Sequence, residues 1–221
     1  MTSLLGLALT DPNVPTPSFV IEEARLEKNL RRALDQARRL GVRLRPHLKT
    51  HKSIGIALRQ METLQGPACV STLLEAEYFF SHGVTDLLYA VGIAPQKLPQ
   101  VASLRERGCD LKIILDNAAA ADAVSDFCRE HGVSIPVLLE VDVDGHRSGL
   151  APESPELLAV AEHLRDGARL AGVLTHAGAS YDEPDLEHVR LAAERERDGI
   201  VLAARRLREA GHKIDIVSVG S

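Results

Sequence analysis

The chain has 221 residues, of which 45% are hydrophobic and 26% are charged, and its net charge at neutral pH is −5. These values are typical of a globular protein with one large core or two small ones, and no apolar run is long enough to span a bilayer. The acidic balance provides no basic surface, so we expect neither nucleic acid nor a membrane as a partner.

Two patterns of apolar residues alternate along the chain. Between residues 25 and 40 the apolar residues recur at helical spacing, and Gly41 follows as a helix end. Short β-rich runs and further helical segments come after it. The predicted strands lie at 42–48, 68–72, 86–91, 111–115, 135–143, 170–176 and 214–219. The predicted helices between them lie at 53–64, 73–82, 96–107, 118–131, 155–166 and 185–210.

Seven strands that alternate with helices predict parallel pairing and right-handed crossovers. Two α/β architectures fit this order, a doubly wound open sheet and a (β/α)8 barrel of the TIM type. The regular spacing, about 20–40 residues per unit, favours the barrel. A closed barrel needs eight strands, so we predict a barrel that stops before its eighth. An extended run at 16–21 precedes the first helix, and Pro17 argues against a central strand there. We divide the chain into an N-terminal segment, 1–24, and the barrel, 25–221.

Polar residues follow nearly every predicted strand. In parallel α/β proteins ligands bind at the carboxyl ends of the strands, so these residues converge on one rim of the predicted barrel. The candidates for chemistry or binding are His47, Lys49, Thr72, Arg147, His176, Tyr181, Ser218, Gly220 and Ser221.

The segment 45–52 is the most unusual of these, because it contains two histidines and two lysines within six residues. Its alternation places Arg45, His47 and Lys49 on one face of the predicted strand. Charged groups do not pack easily against the helix layer, so this face belongs at the mouth of the barrel. A lysine crowded by cations is favoured as the free amine, the form that makes Schiff bases. Lys49 is therefore the candidate nucleophile, with His47 beside it.

Three further features support a ligand site. Arg147 either forms a salt bridge within its own loop or holds a cation against a cofactor ring or a carboxylate. His176 and Tyr181 are surrounded by small residues, which let a ligand approach the backbone. The small-residue run 218–221 suits a phosphate, because hydroxyls and exposed amides can bind an anion.

Several motifs together resemble one enzyme family. Residues 45–52, RPHLKTHK, resemble the RPHxKTHK signature of fold-type III pyridoxal-phosphate enzymes, the D-threonine aldolase and D-serine dehydratase group that is distantly similar to alanine racemase. Residues 16–20 resemble the family's N-terminal strand, and 140–149 resemble its E-[IV]-D-x-x-x-x-R-x-G segment. Residues 176–181 resemble HxGxSY, and 217–221 resemble the start of the VSxGSTPT phosphate loop.

The resemblance assigns roles to the candidates. It implies that Lys49 forms the internal aldimine with pyridoxal 5'-phosphate, that His47 supports the lysine or the ring, and that Arg147 lies near the pyridine nitrogen. Tyr181 is implied to contact the cofactor, and Ser218, Gly220 and Ser221 to hold its phosphate. Thr72 and His176 complete the expected cofactor-binding set.

The resemblance also implies a reaction and missing parts. Family members continue into an eighth strand and a C-terminal β-domain, whose His and Cys or Asp bind a divalent metal, so manganese or zinc is expected only in the complete protein, with no ligand in this chain. The expected activity is that of a lyase on small β-hydroxy D-amino acids. Aldol cleavage of D-threonine is our first expectation, and dehydration of D-serine or 3-hydroxy-D-aspartate is the alternative. Two alternatives stay open: a non-catalytic cofactor carrier, which suits the missing β-domain but not the motifs, and a racemase relative, whose tyrosine base would lie in the missing domain.

Two further expectations concern the setting of the protein. The resemblance implies a homodimer. The three cysteines, Cys69, Cys109 and Cys128, are scattered and form no CxxC pair. Reduced, buried thiols are usual in cytosolic proteins, so we expect a cytoplasmic location.

Overall fold

The structure is a computed structural model that describes residues 7–220. By its contacts the chain divides into two units, one up to Leu44 and one from Arg45 onward. The first unit contains helix α1 (Glu23–Leu40), which ends at Gly41, where φ is +65°. The N-terminal strand expected at 16–20 is not formed, since residues 7–22 contain neither helix nor strand. Pro15 and Pro17 remove two of the amides that a strand needs for pairing.

The second unit contains an alternation of strands and helices close to the predicted one. Its strands are β1 (Ala68–Val70), β2 (Asp86–Gly92), β3 (Asp110–Leu115), β4 (Ile135–Val141), β5 (Ala168–Thr175) and β6 (Ile216–Ser218). Its helices are α2 (Ile54–Gln60), α3 (Leu73–Ser81), α4 (Leu98–Glu106), α5 (Ala118–His131), α6 (Pro155–Glu162) and α7 (Leu186–Glu209). Within residues 7–220 no helix has the combined length and apolarity needed to cross a bilayer.

The sheet identifies the architecture. Its six strands are parallel and lie in the order of the sequence, β1 to β6. A doubly wound sheet reverses its strand order at a switch point, so this order excludes that architecture. The six strands form a curled half-barrel, which confirms the prediction of an incomplete TIM-type barrel.

Both faces of the sheet are buried, which explains the nearly continuous apolar runs of the strands. The larger core contains residues of both strands and helices, among them Phe79 of α3, Leu104 of α4 and Leu111 of β3. A smaller cluster contains only strand residues and forms the concave side of the sheet. Its members are Cys69, Leu88, Ile114, Leu138, Ala171 and Leu174.

The prediction of a strand at 42–48 is wrong. The segment forms only a single parallel bridge, between His47 and Cys69. The bridge has two hydrogen bonds, from Cys69 N–H to Pro46 O and from Leu48 N–H to Cys69 O. Toward the amino end, the next pair of bonds would need the N–H groups of Pro46 and Pro67, and proline has none. Pairing is therefore limited to one bridge, although the alternation of the segment is kept.

The concave side is charged at the amino ends of the strands. Lys112 of β3 is only 7% exposed, and its Nζ lies 2.9 Å from Asp86 Oδ1 and 2.7 Å from Asp110 Oδ2. Arg45 also contacts Asp86, at 2.9 Å. Burial alone would raise the pKa of Asp86, but its hydrogen bonds to Arg45 and Lys112 and their charges hold it below its ordinary value. These ion pairs lie at the amino ends of β2 and β3, away from the carboxyl ends that carry the candidate site.

Candidate active site

The chain turns sharply at the carboxyl end of the bridge, where Lys49 lies. Lys52 N–H donates to Leu48 O at 3.0 Å, and Lys52 adopts a left-handed backbone with φ of +49°. Pro46 and Leu48 are buried and Lys49 is exposed, as the predicted alternation requires. The sequence pattern therefore places Lys49 at the rim that the strands' carboxyl ends share.

The other cationic and imidazole groups around this turn have side-chain partners. The pairs are Arg45 with Asp86 at 2.9 Å, Lys52 with Glu75 at 3.2 Å, and His51 with Gln60 at 2.8 Å. Within residues 7–220 the Nζ of Lys49 forms no hydrogen bond or ion pair. In this part of the chain Lys52 is engaged by an ion pair and the Lys49 amine is not, so the choice of Lys49 over Lys52 stays a prediction.

His47 is held in one orientation beside this lysine. The N–H of Lys49 donates to His47 Nδ1 at 3.3 Å, so the neutral ring carries its hydrogen on Nε2, 3.3 Å from Ser71 Oγ. Burial, the charge of Lys49 and the charge of His176 together lower the pKa of His47 to about 4, against the opposite effect of Glu75. The imidazole is therefore neutral at neutral pH.

The lowered pKa of His47 predicts how stability changes with pH. The ordinary pKa is 6.5 and the folded value is about 4, so protons bind the unfolded chain more readily. The stability that the neutral ring provides is complete above pH 6.5 and is lost as the pH falls from 6.5 toward 4. Urea unfolding at pH 7 and pH 4.5 measures this, and the loss should be smaller in His47→Asn than in the wild type. Equal losses would contradict the assignment.

The loop after β4 is fixed by its own carboxylates. Asp142 accepts hydrogen bonds from the amides of Asp144 and Gly145, and Asp144 accepts those of His146 and Ala179. In the described residues neither carboxylate forms an ion pair with Arg147, so a salt bridge within the loop is not supported.

Arg147 instead lies against the loop that follows β5. A Cβ on Gly178 would come within 2.9 Å of Arg147 Cγ, so the Arg147 side chain packs closely on the backbone of Gly178. Burial raises the pKa of Glu140, at the end of β4, and its hydrogen bond with Ser148 and the charge of Arg147 oppose that rise. The guanidinium is therefore close to the carboxyl end of β4.

The loops after β5 and β6 are joined to each other. His176 Nδ1 donates to Gly220 O at 2.5 Å, and the rings of His176 and Tyr181 lie 5.9 Å apart. Tyr181 is 69% exposed. Ser218, half-buried, pairs in register with Leu174 of β5. The charge of His176 lowers the pKa of His47, which indicates that the loop after β5 lies on the same side of the sheet as the Lys49 turn.

Comparison with known proteins identifies the family. Residues 21–221 match the family model described as the alanine racemase N-terminal domain. The chain belongs to this family. The resemblance inferred from the motifs is confirmed.

Comparison with individual proteins gives closer matches than the family model. The chain is 51% identical over 208 residues to the D-threo-3-hydroxyaspartate dehydratase of Delftia sp. (strain HT23), with 93% of this chain and 55% of that protein covered. It is 33% identical over 232 residues to the D-threonine aldolase of Arthrobacter sp, with 97% and 59% covered. A solved structure of the Delftia dehydratase superposes with a TM-score of 0.90 at 50% identity, over 94% of this chain and 55% of that one. The chain spans about half the length of the curated relatives that it matches.

For two of the predicted cofactor-binding residues the structure gives no contact with the other residues of the site. Thr72 caps helix α3, since its Oγ1 accepts the N–H of Glu75 at 3.0 Å. Ser221 lies outside the described residues. Their roles in binding the cofactor stay predictions. Among residues 7–220 no group of three or more His, Cys, Asp or Glu is arranged to hold a metal ion.

Two buried glutamates at the site are not among the residues predicted from the sequence. Glu75 contacts Lys52 and accepts the N–H of Ser71, and Glu196 of α7 accepts two loop amides. The T-x-x-E spacing of Thr72 and Glu75, a capping-box pattern, is a signal for the first. A lone carboxylate on the otherwise apolar stripe of α7 is a signal for the second.

Proposed function

We propose that the protein is a pyridoxal-phosphate-dependent lyase of β-hydroxy D-amino acids, in which Lys49 binds the cofactor. The observation that carries this proposal is the Lys49 amine, which has no side-chain partner within residues 7–220 and lies beside a neutral imidazole. An amine that is not engaged by an ion-pair partner is available to form a Schiff base with an aldehyde.

The surrounding residues fit such a cofactor. Lys49 supplies the amine, and the loop from Ser218 onward supplies a hydroxyl and small residues suited to a phosphate. Arg147, free of ion pairs with Asp142 and Asp144 in the described chain, would lie near the pyridine nitrogen. A guanidinium there disfavours protonation of that nitrogen. The exposed ring of Tyr181 is available to contact the cofactor.

The protein's own groups have defined tasks in this proposal. When bound, pyridoxal phosphate supplies an acceptor for the electron pair released at the substrate's Cα. The Lys49 Nζ would accept the proton that leaves Cα. His47, with a pKa of about 4, stays neutral, so the proton resides on the lysine amine and not on the imidazole. Its hydrogen bonds to the Lys49 backbone and to Ser71 keep that turn in place.

Similarity favours dehydration of a 3-hydroxy-D-aspartate as the reaction. The Delftia dehydratase is 51% identical to this chain and the Arthrobacter aldolase is 33% identical. Dehydration would convert 3-hydroxyaspartate into oxaloacetate and ammonia, with the water lost from Cα and Cβ returned in the final hydrolysis. Aldol cleavage of D-threonine to glycine and acetaldehyde, our first expectation from the motifs, is kept as the second candidate because of the aldolase relative.

We also propose a divalent metal, manganese or zinc, that engages the substrate hydroxyl and is bound by residues of the longer protein. A homodimer and a cytoplasmic location complete the proposal. The three free, buried thiols at positions 69, 109 and 128 support a reducing compartment. Light scattering of the purified protein tests the dimer.

A substrate assay separates the reactions. The complete protein is incubated with D-threo-3-hydroxyaspartate, D-serine and D-threonine, with added Mn²⁺ or Zn²⁺ and after removal of metal by a chelator. We expect oxaloacetate and ammonia from the first substrate at a kcat/KM at least about tenfold above that for D-threonine, a difference of roughly 1.4 kcal/mol in transition-state binding. The metal-free sample should lose this activity.

Each other product has its own meaning. If acetaldehyde from D-threonine is the dominant product, the proposed reaction is aldol cleavage and not dehydration. No product from any substrate in the presence of either metal would contradict a lyase and favour a cofactor carrier. Full activity after chelation would contradict the metal.

A further inference from the structure

Helix α7 carries a charged residue on its buried face. Glu196 is 4% exposed and lies between Ala192 and Ile200, both buried, at helical spacing. A carboxylate costs free energy to bury unless donors surround it. The reason for its presence must therefore be the groups that it binds.

Two of those groups belong to two loops of the candidate site. Glu196 Oε1 accepts the N–H of Gly220 at 3.0 Å and the N–H of Ala177 at 3.3 Å. Ala177 follows His176 at the end of β5, and Gly220 follows β6. Since His176 also donates to Gly220 O, the backbone of Gly220 is held on both sides.

The same helix also packs on the third loop of the site. A Cβ on Gly199 would lie 2.8 Å from Val143 Cγ1, so α7 approaches the loop after β4 closely. Arg206 donates to the carbonyls of Pro152 and Ser154 at 2.6 and 2.9 Å. Helix α7 therefore contacts the segments that follow β4, β5 and β6, and Glu196 makes its charged contact with the last two.

We propose that Glu196 is a positioning residue that sets the loop beginning at Ser218 for the phosphate of the cofactor, an inference that rests on the proposed function. Because Glu196 engages the Gly220 N–H, the phosphate would be met by neighbouring groups such as the Ser218 hydroxyl. The two loops require from Glu196 a hydrogen-bond acceptor at the end of a side chain long enough to meet the N–H groups of Ala177 and Gly220. Its negative charge is not required, and near a phosphate it is unfavourable.

Two conservative variants of Glu196 separate the effect of its side-chain length from the effect of its charge. Glu196→Gln keeps the length and an acceptor oxygen but removes the charge, whereas Glu196→Asp keeps the charge and retracts the acceptor by one carbon. Ser125→Ala is the matched control. Ser125 is a fully buried polar residue of α5 whose partners, His163 O and Arg165 N–H, precede β5 at the opposite end of the strands.

Binding of pyridoxal phosphate and of pyridoxal, which lacks the phosphate, is measured by calorimetry with the purified protein and each variant. We expect Glu196→Asp to weaken the binding of pyridoxal phosphate by about tenfold or more, the scale of a buried amide left without an acceptor, and the binding of pyridoxal by less than about threefold. Glu196→Gln and Ser125→Ala should bind both ligands within about threefold of the wild type. Exchange of the Ala177 and Gly220 amide protons should be faster in Glu196→Asp alone.

The outcomes separate this inference from the proposed function. A wild type that binds neither ligand would overturn both. A wild type that binds pyridoxal phosphate, together with an unaffected Glu196→Asp, would overturn the positioning role alone. Equal weakening of both ligands in Glu196→Asp would also overturn it, because the effect would then be general destabilisation and not placement of the phosphate loop.

Discussion

Replacement of Lys49 by alanine is expected to abolish covalent cofactor binding and to lower kcat/KM by at least about a thousandfold, roughly 4 kcal/mol of transition-state stabilisation. The reason is that the variant loses both the amine that holds the cofactor and the base proposed to accept the Cα proton. Within residues 7–220 the Lys49 amine has no other partner, so the fold should tolerate its loss. The visible absorbance of the protein with pyridoxal phosphate and the rate of product formation measure the two effects.

Lys52→Ala is the matched control for this variant. Lys52 lies three residues away, is exposed, and forms an ion pair with Glu75 at 3.2 Å. The Lys52 ammonium is exposed, and Glu75 keeps its hydrogen bond from the Ser71 N–H when that ammonium is removed, so Lys52→Ala should keep the absorbance band and most of the activity. A band that persists in Lys49→Ala, or that disappears only in Lys52→Ala, would contradict the assignment.

The second large effect is expected at Gly172 in β5. This residue pairs in register with Ile216 of β6, and a Cβ there would overlap Ile216 O and lie 2.7 Å from Ile216 Cβ. The obstructing groups are largely backbone and cannot move aside cheaply. Gly172→Ala should therefore lower the free energy of unfolding by about 3 kcal/mol, as measured by urea denaturation.

Gly172→Ala should also affect the site, because the β5–β6 pairing places Ser218 opposite Leu174 and holds the loop after β6 near His176. Gly92→Ala is the matched control, since Gly92 is also a strand glycine and has open space where its Cβ would be. It should change stability by less than about 1 kcal/mol. Equal effects in the two variants would show that the close approach of β6 is not what requires glycine.

The parallel strands and their helices were predictable because burial on both faces leaves a strong signal in the sequence. The absence of a strand at 42–48 was not predictable. It depends on Pro46 and Pro67, which are distant in sequence and meet only when the two segments pair in the folded chain. At the carboxyl end of that bridge, the N–H of Ser71 is bound by Glu75 and is not available to extend it.

The candidate site divides in a similar way. Alternation alone selects Lys49, because a period of two is a local property of the chain. The partners that leave Lys49 free are non-local, as is the bond between Glu196 and Gly220, 24 residues apart. Those could be found only from the structure. Thr72 is predicted from its position at a strand end, and its hydroxyl serves the N-terminus of α3 in the structure.

The most direct test of the central claim is to find which lysine binds the cofactor. The complete protein is mixed with pyridoxal phosphate, reduced with borohydride to make the linkage permanent, digested and analysed by mass spectrometry. The cofactor mass should be found on the peptide that contains Lys49, at the Nζ of that residue. A stoichiometric label on Lys52 or on any other lysine, or no label at all, would contradict the proposed role of Lys49.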